Sequence, residues 1–173
     1  NDEALAAAAR QYRDQGKNRD GITHEVRGNS WRMTEMGAAL GLAQMVTVEQ
    51  DTRRRADIIA RYQNELADTP LAFPTPDAAM VPSGYKAIAL LPEHVVRATF
   101  KQAVREHGVT LGKEVYEKPL HLQPVFAEFQ SGEAYPTAER FADRHICLPL
   151  WRFMSDEDVT TVIEVMRTEL AKV

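Results

Sequence analysis

The chain of 173 residues has a single cysteine, Cys147, so no intrachain disulfide can form and no thiol pair exists for a zinc ribbon or a redox CxxC motif. A reducing, cytoplasmic location is the expectation. A basic surplus is also missing: 21 Lys and Arg stand against 25 Asp and Glu, a formal charge of −4, which argues against a nucleic-acid partner. The nearest basic patch, Arg53-Arg54-Arg55, has Glu49, Asp51 and Asp57 beside it in a helical pattern and reads as a solvated face. No apolar run approaches the roughly 20 residues of a membrane helix, and the first stretch, NDEALAAAARQYRD, has an acidic start and no hydrophobic signal core, so no membrane partner is expected. The five histidines at 24, 94, 107, 121 and 145 show no HxxxH or HxH spacing, which leaves no basis for a metal site. There is no GxGxxG after a strand, no Walker lysine motif and no GxSxG elbow, so the common nucleotide-binding and hydrolase signatures are absent.

What is present is an ordinary globular balance, 44% hydrophobic and 27% charged, in a length that fits one domain or one domain and a fragment. Asn1-Asp2-Glu3 is a helix cap with no lead-in, so the chain is expected to be cut from a longer one, with Asn1 or Asp2 capping a first helix that Gly16 closes. Residues 16–32 are polar, carry three glycines and lack periodicity, as long functional connections do. From Thr34 the apolar spacing near 3.6 runs through Met36, Leu40, Ala43, Ile58, Tyr62 and Leu66, predicting one helix of roughly 30 residues with small side chains crowding its first half. Downstream, residues 85–91 read as a strand, Pro92 and Glu93 as the opening of a helix to His107, and residues 109–116 as a second strand. The segment KPLHLQP reads as an ordered loop, residues 126–135 as loop or short helix, and residues 138–144 as a helical turn before a third strand at 145–149. A last helix begins at Ser155. This is an α/β pattern: a long helix followed by a small unit with a short sheet packed by helices.

Two places carry candidate chemistry. His121 lies between Pro119 and Pro124, whose restricted backbone would hold an imidazole in place for acid/base or hydrogen-bond work; the alternative is a loop histidine satisfied by a carbonyl. Residues Gly28-Asn29-Ser30-Trp31-Arg32 set amide, hydroxyl, indole and guanidinium just before a long helix, an arrangement that suits an anion such as phosphate or, alternatively, plain capping with an Arg32 salt bridge. His24, His94 and His107 read as surface residues and His145 as structural.

Four stretches, NDEALAAAARQYRDQG, RGNSWRMTEMGAALGLAQM, KPLHLQPVF and AERFADRHICLPLWRFMSDEDVTTVIEVM, together resemble the sugar aminotransferases of the DegT/DnrJ/EryC1/StrS family, in the fold type I class of pyridoxal-phosphate (PLP) enzymes. The resemblance implies the carboxy-terminal half of such an enzyme: residues 1–50 as the end of the large cofactor-binding domain and the start of the long helix, residues 51–173 as the small α/β domain. It implies that the Schiff-base lysine lies upstream of Asn1, since none of Lys17, Lys86, Lys101, Lys113, Lys118 or Lys172 stands in its context. The acidic partner of the pyridine nitrogen, the stacking aromatic and the main phosphate cup are expected outside the chain as well, so these residues alone should not transaminate. The family asparagine that reaches the cofactor phosphate of the partner subunit falls at Ser30, with Asn29 just before it. Trp31 matches an aromatic near that site, His121 matches a histidine of the substrate pocket, Lys86 resembles a position near the same pocket, and Arg32 braces the connection.

The family's chemistry passes an amino group from an amino acid, usually glutamate, to a keto sugar carried on a nucleotide, with a cyclitol ketone as acceptor in some relatives, and its active sites are shared across a homodimer. An exposed apolar surface is expected where the missing half would pack. The alternatives are a non-catalytic C-terminal module that binds a partner or dimerises, and a regulatory protein that keeps the cofactor without turnover.

Overall fold

The structure is a computed structural model that describes residues 2–77, 79–129 and 132–173. It divides into two compact units, Asn1–Val48 and Glu49–Val173.

In the first unit, helix α1 (Glu3–Arg13) is capped by Asp2, whose carboxylate accepts from the Leu5 amide at 2.9 Å. Asn1, the other expected cap, lies outside the described residues. After the helix the chain turns through Gln15 and Gly16, both at positive φ, and residues 17–24 form a small turned-back loop with Asn18 donating to the Thr23 carbonyl. Its tip is ordered by Asp20, which accepts from the amides of Thr23 and Ile22; these bonds hold its carboxyl down at about 2. The returning chain crosses itself at two glycines. A Cβ on Gly16 would lie 1.7 Å from the Val26 carbonyl oxygen, and one on Gly28 would lie 2.2 Å from the Gly16 nitrogen. Only glycine lets the two backbone segments pass this closely.

Helix α2 (Glu35–Met45), capped by Thr34 onto the Gly37 amide, buries none of its residues. It does not run on as one long helix. The chain breaks at Val46 and Thr47, and α3 (Val48–Glu65) starts anew with Glu49 and Asp51 in its first turn. The physical reason is local: Val46-Thr47-Val48 is a β-branched run with poor helix propensity, and the Thr47 amide and hydroxyl both return to the Gln44 carbonyl.

The second unit holds the core. Its sheet is two antiparallel strands, β1 (Ala87–Leu90) and β2 (His145–Leu148), in the register Ala87 opposite Leu148 and Leu90 opposite His145. Single-residue bridges extend it on both sides, Ala72 to Leu90 and Gly112 to Cys147. The apolar faces of α3 (Ile58, Tyr62), α4 (Arg97–Glu106; Phe100, Val104) and α6 (Asp156–Leu170; Val159, Ile163, Met166) close over these strands. Helix α6 begins in a full capping box, Ser155 to the Asp158 amide and the Asp158 carboxylate to the Ser155 amide. Tyr62 is fully buried, which pushes its phenol upward, and donates to the Pro149 carbonyl at 2.9 Å.

Further expectations need correction. Residues 109–116 do not form a strand: only Gly112 pairs with β2, because the Val115 amide is taken by the His145 ring and Glu114 turns inward. Helix α4 starts at Arg97 rather than Pro92, since Pro92 opens a turn closed by the Val95 amide and Val96 stays extended. The segment around His121 is not plain loop: Leu120–Leu122 and Pro124–Phe129 are 3-10 turns, each entered by a proline, and residues 130 and 131 of the following stretch lie outside the description. The helical turn expected before β2 is the nine-residue helix α5 (Pro136–Arg144).

The Arg53-Arg54-Arg55 run is also more than a solvated face. Arg53 pairs with Glu49 on the surface, but Arg54 donates to the Met154 carbonyl and Asp156, tying α3 to the start of α6, and Arg55 reaches the Ser83 carbonyl. Among the described residues no helix is long and apolar enough to cross a membrane, and no group of three or more His, Cys, Asp or Glu side chains is arranged to hold a metal.

Candidate functional site

His121 sits in the first 3-10 turn of the second unit, where Pro119 and Pro124 bracket the backbone. Its side chain is 19% exposed. The ring packs against Tyr135, centroids 4.8 Å apart, and its Nε2 lies 3.1 Å from Oε1 of Glu139 in the first turn of α5. His121 and Tyr135 are common to the walls of two hollows. The larger, about 920 Å³, is lined mainly by apolar and aromatic groups, among them Tyr116, Leu120, Pro136 and Phe141. The smaller, about 230 Å³, contains Glu139 with Leu122, Phe129 and Glu133. An apolar hollow with one titratable ring held at its edge by a carboxylate can bind an organic substrate and present a hydrogen-bonding or proton-carrying nitrogen to it.

Lys86 is not part of this hollow. Its ammonium donates to the Lys113 carbonyl at 2.5 Å, with the Glu114 carbonyl at 3.5 Å, and its stem lines a separate space of about 580 Å³ with Gln63, Pro74, Pro82 and Tyr85. Nearby, Glu114 is buried against α4. Burial works to raise its carboxyl, but the Lys101 hydrogen bond at 2.6 Å and the Arg97 charge at 3.8 Å outweigh it and hold the carboxyl below its ordinary value. His145 is fully buried and satisfied: Nε2 accepts from the Val115 amide, Nδ1 faces the Phe141 carbonyl at 2.7 Å, and the Phe141 ring stacks on it. His145 is therefore structural. His107, expected at the surface, is half exposed and pairs with the buried Glu169 at 3.0 Å. Cys147 is buried in β2, and burial pushes its thiol up, away from reactivity.

In the first unit, residues 29–31 run antiparallel to the end of α1. The Asn29 amide donates to Tyr12, the Gln15 amide to Asn29, and the Trp31 amide to Arg13. Ser30, exposed, receives a hydrogen bond from Arg32 at 3.3 Å, and Arg32 also lies 3.3 Å from Asp14, an ion pair without hydrogen-bond alignment that braces the connection. Trp31 stands edge-on to Tyr12, centroids 5.5 Å apart, and remains 65% exposed. Side chains alternate along an extended segment, so Ser30 shares its side with Arg32, while Asn29 shares the side of Trp31. Glu139 is the residue that reasoning from sequence missed; it lies 18 positions from His121, beyond any local pattern.

The model of the DegT/DnrJ/EryC1/StrS aminotransferase family matches residues 1–167. The chain belongs to this family. Among its family relatives, the spore coat polysaccharide biosynthesis protein SpsC of Bacillus subtilis (strain 168) is 30% identical over 149 residues, covering 83% of this chain and 38% of its own length. The dTDP-3-amino-3,4,6-trideoxy-alpha-D-glucose transaminase of Streptomyces venezuelae is 28% identical over 173 residues, covering 96% of this chain and 43% of its own. The crystal structure of S. venezuelae DesV in complex with ketimine intermediate superposes with a TM-score of 0.85 at 25% identity, over 99% of this chain and 46% of that one. The chain thus spans less than half the length of these relatives, and its α/β fold is one found within the family's aminotransferases.

Proposed function

We propose that this chain is the C-terminal portion of a PLP-dependent sugar aminotransferase that moves an amino group from an amino acid, glutamate, to the ketone of a nucleotide-linked sugar. The observation that carries the proposal is the family match along nearly the whole chain, in which the histidine expected at the substrate pocket stands in the wall of an apolar hollow, braced by a carboxylate. Relatives named for polysaccharide biosynthesis and for a dTDP-amino-sugar support the substrate class.

The residues present fit a contribution to the cofactor's phosphate, with its covalent attachment assigned to a lysine outside this chain. The Ser30 hydroxyl lies on an exposed segment with its own proton left to donate to an anion, since it accepts from Arg32, which is held beside it by Asp14. The ammonium groups of Lys86, Lys101 and Lys172, in contrast, are bound to carbonyl or carboxylate oxygens. When bound, PLP supplies the electron sink that stores the donor's nitrogen between the two half-reactions.

This chain's residues serve binding and orientation. Ser30 rather than Asn29 donates to the phosphate, and it does so in the site of a partner subunit, so the protein works as a homodimer. The exposed indole of Trp31 offers an aromatic face beside that site. His121 holds the acceptor sugar by hydrogen bonding at the ring edge, and the hollow keeps water from the keto carbon. Lys86 enters as a brace of the chain at Lys113 and Glu114, beside a hollow separate from that of His121. The exposed apolar side chains around α2 (Met36 at 85%, Leu40 at 62%, Leu42 at 72%) are covered in the whole protein. A cytoplasmic location accords with the lone buried cysteine.

The test is the full-length protein incubated with PLP, glutamate and a dTDP-linked keto-hexose. Formation of 2-oxoglutarate and an amino sugar supports the proposal. Cofactor uptake without transfer points to the regulatory alternative, and no uptake points to a non-catalytic module.

A further inference from the structure

His121 and Glu139 come from separate elements, a 3-10 turn set between two prolines and the first turn of α5. The helix start is itself fixed, with Pro136 at its first position and the Glu139 amide donating to the Tyr135 carbonyl at 3.1 Å. A carboxylate in a helix's first turn faces the positive end of the helix dipole, a place that suits its negative charge. Glu139 stands in the smaller hollow and is no part of the larger hollow's lining, while His121 and Tyr135 form walls of both. The imidazole is therefore gripped from the side of the smaller hollow and presented to the larger one. A carboxylate accepts and never donates, so the nitrogen facing it carries a proton, and in the neutral ring the other nitrogen, Nδ1, then holds the lone pair. Tyr135, 4.8 Å away, limits rotation of the ring about its own axis.

We propose that Glu139 is the positioning residue of His121: it accepts the Nε2–H bond, selects the Nε2-protonated tautomer and fixes the ring edge that the acceptor sugar meets. The proposal rests on the reading of His121 as a residue of the sugar pocket. It assigns Glu139 no contact with substrate or cofactor. Its effect falls on the half-reaction that uses the sugar and leaves the one that uses glutamate unchanged.

Two measurements on the full-length protein test it, and the first needs no substrate. In ¹⁵N-histidine NMR, with His121 identified by the loss of its signals in His121→Ala, the wild type is expected to show a protonated Nε2 and an unprotonated Nδ1. Glu139→Ala should shift both resonances toward the averaged values of an exchanging ring, and Glu139→Gln, which keeps an acceptor oxygen, should restore part of the wild-type pattern. Identical His121 resonances in wild type and Glu139→Ala overturn the proposal. The second measurement is kinetic, with glutamate as donor and a dTDP-linked keto-hexose as acceptor. Glu139→Ala should lower kcat/KM for the sugar about tenfold, the scale of one charge-assisted hydrogen bond. It should leave the glutamate half-reaction at the wild-type rate and add nothing further in a His121→Ala background. If His121→Ala is impaired while Glu139→Ala is not, or if the two losses multiply, the role of Glu139 falls and that of His121 stands. If His121→Ala keeps wild-type kinetics, the reading of His121 fails and the positioning role goes with it.

Discussion

The units Asn1–Val48 and Glu49–Val173 are held together by different interactions. The second packs side chains from three helices onto a short sheet, with Ile58, Tyr62, Leu66, Val104, Ile146 and Met166 removed from solvent. The first buries no residue of α1 or α2 and relies on backbone hydrogen bonds, a glycine crossing and an ordered loop tip. Apolar burial supplies most of the free energy of folding, so a unit whose apolar helix stays exposed gains little from it, and the proposed function has that helix covered by further protein.

Substitutions that attack each kind of interaction sharpen this contrast. Leu66→Ala empties a fully buried position of the second unit and should destabilise the chain by about 2–5 kcal/mol in urea unfolding. Gly16→Ala adds a Cβ that collides with backbone at a positive φ, beyond the roughly 1–2 kcal/mol of left-handed strain alone. It should abolish hydrogen-exchange protection at the Glu25 and Asn29 amides while the midpoint for the second unit stays unchanged. A drop in that midpoint would break the comparison.

Glu114→Gln should cost about 1–3 kcal/mol, since it leaves Lys101 and Arg97 half-buried without their carboxylate. Because the folded state holds the Glu114 carboxyl below its unfolded value, this contribution is complete above the unfolded pKa, near 4.3, and is lost as pH falls through the lower folded one. The stability difference between wild type and Glu114→Gln should therefore narrow on acidification below pH about 4. Leu40→Ala, at an exposed site of α2, should change the stability of this chain by less than about 0.5 kcal/mol. On the proposal that α2 is covered in the full-length protein, the same substitution there should cost several times more. Equal small effects in both would show that α2 is not an interface.

Local signals in the chain were enough to place α1, α6 with its Ser155 cap, and both paired strands. They failed where tertiary partners decided. Periodicity carried straight across Val46 and Thr47, because an apolar repeat does not register a two-residue turn that keeps the spacing. Residues 109–116 have strand-like composition, yet their hydrogen bonds go to a histidine ring and an ion pair that no window of sequence brings together. The site divides the same way. The prolines around His121 marked a fixed imidazole, whereas Glu139 becomes visible only when α5 folds beside it, and the grouping of Lys86 with His121 gave way to two separate hollows.

The most direct test of the account is transfer by the full-length protein from glutamate to a dTDP-linked keto-hexose, wild type against His121→Ala, with the two half-reactions timed separately. The account predicts normal release of 2-oxoglutarate in both proteins and a loss of about tenfold or more in the sugar half-reaction of His121→Ala, the scale of a lost substrate hydrogen bond. Wild-type protein that takes up PLP yet transfers no amino group, or a His121→Ala protein that aminates the sugar at the wild-type rate, would contradict it.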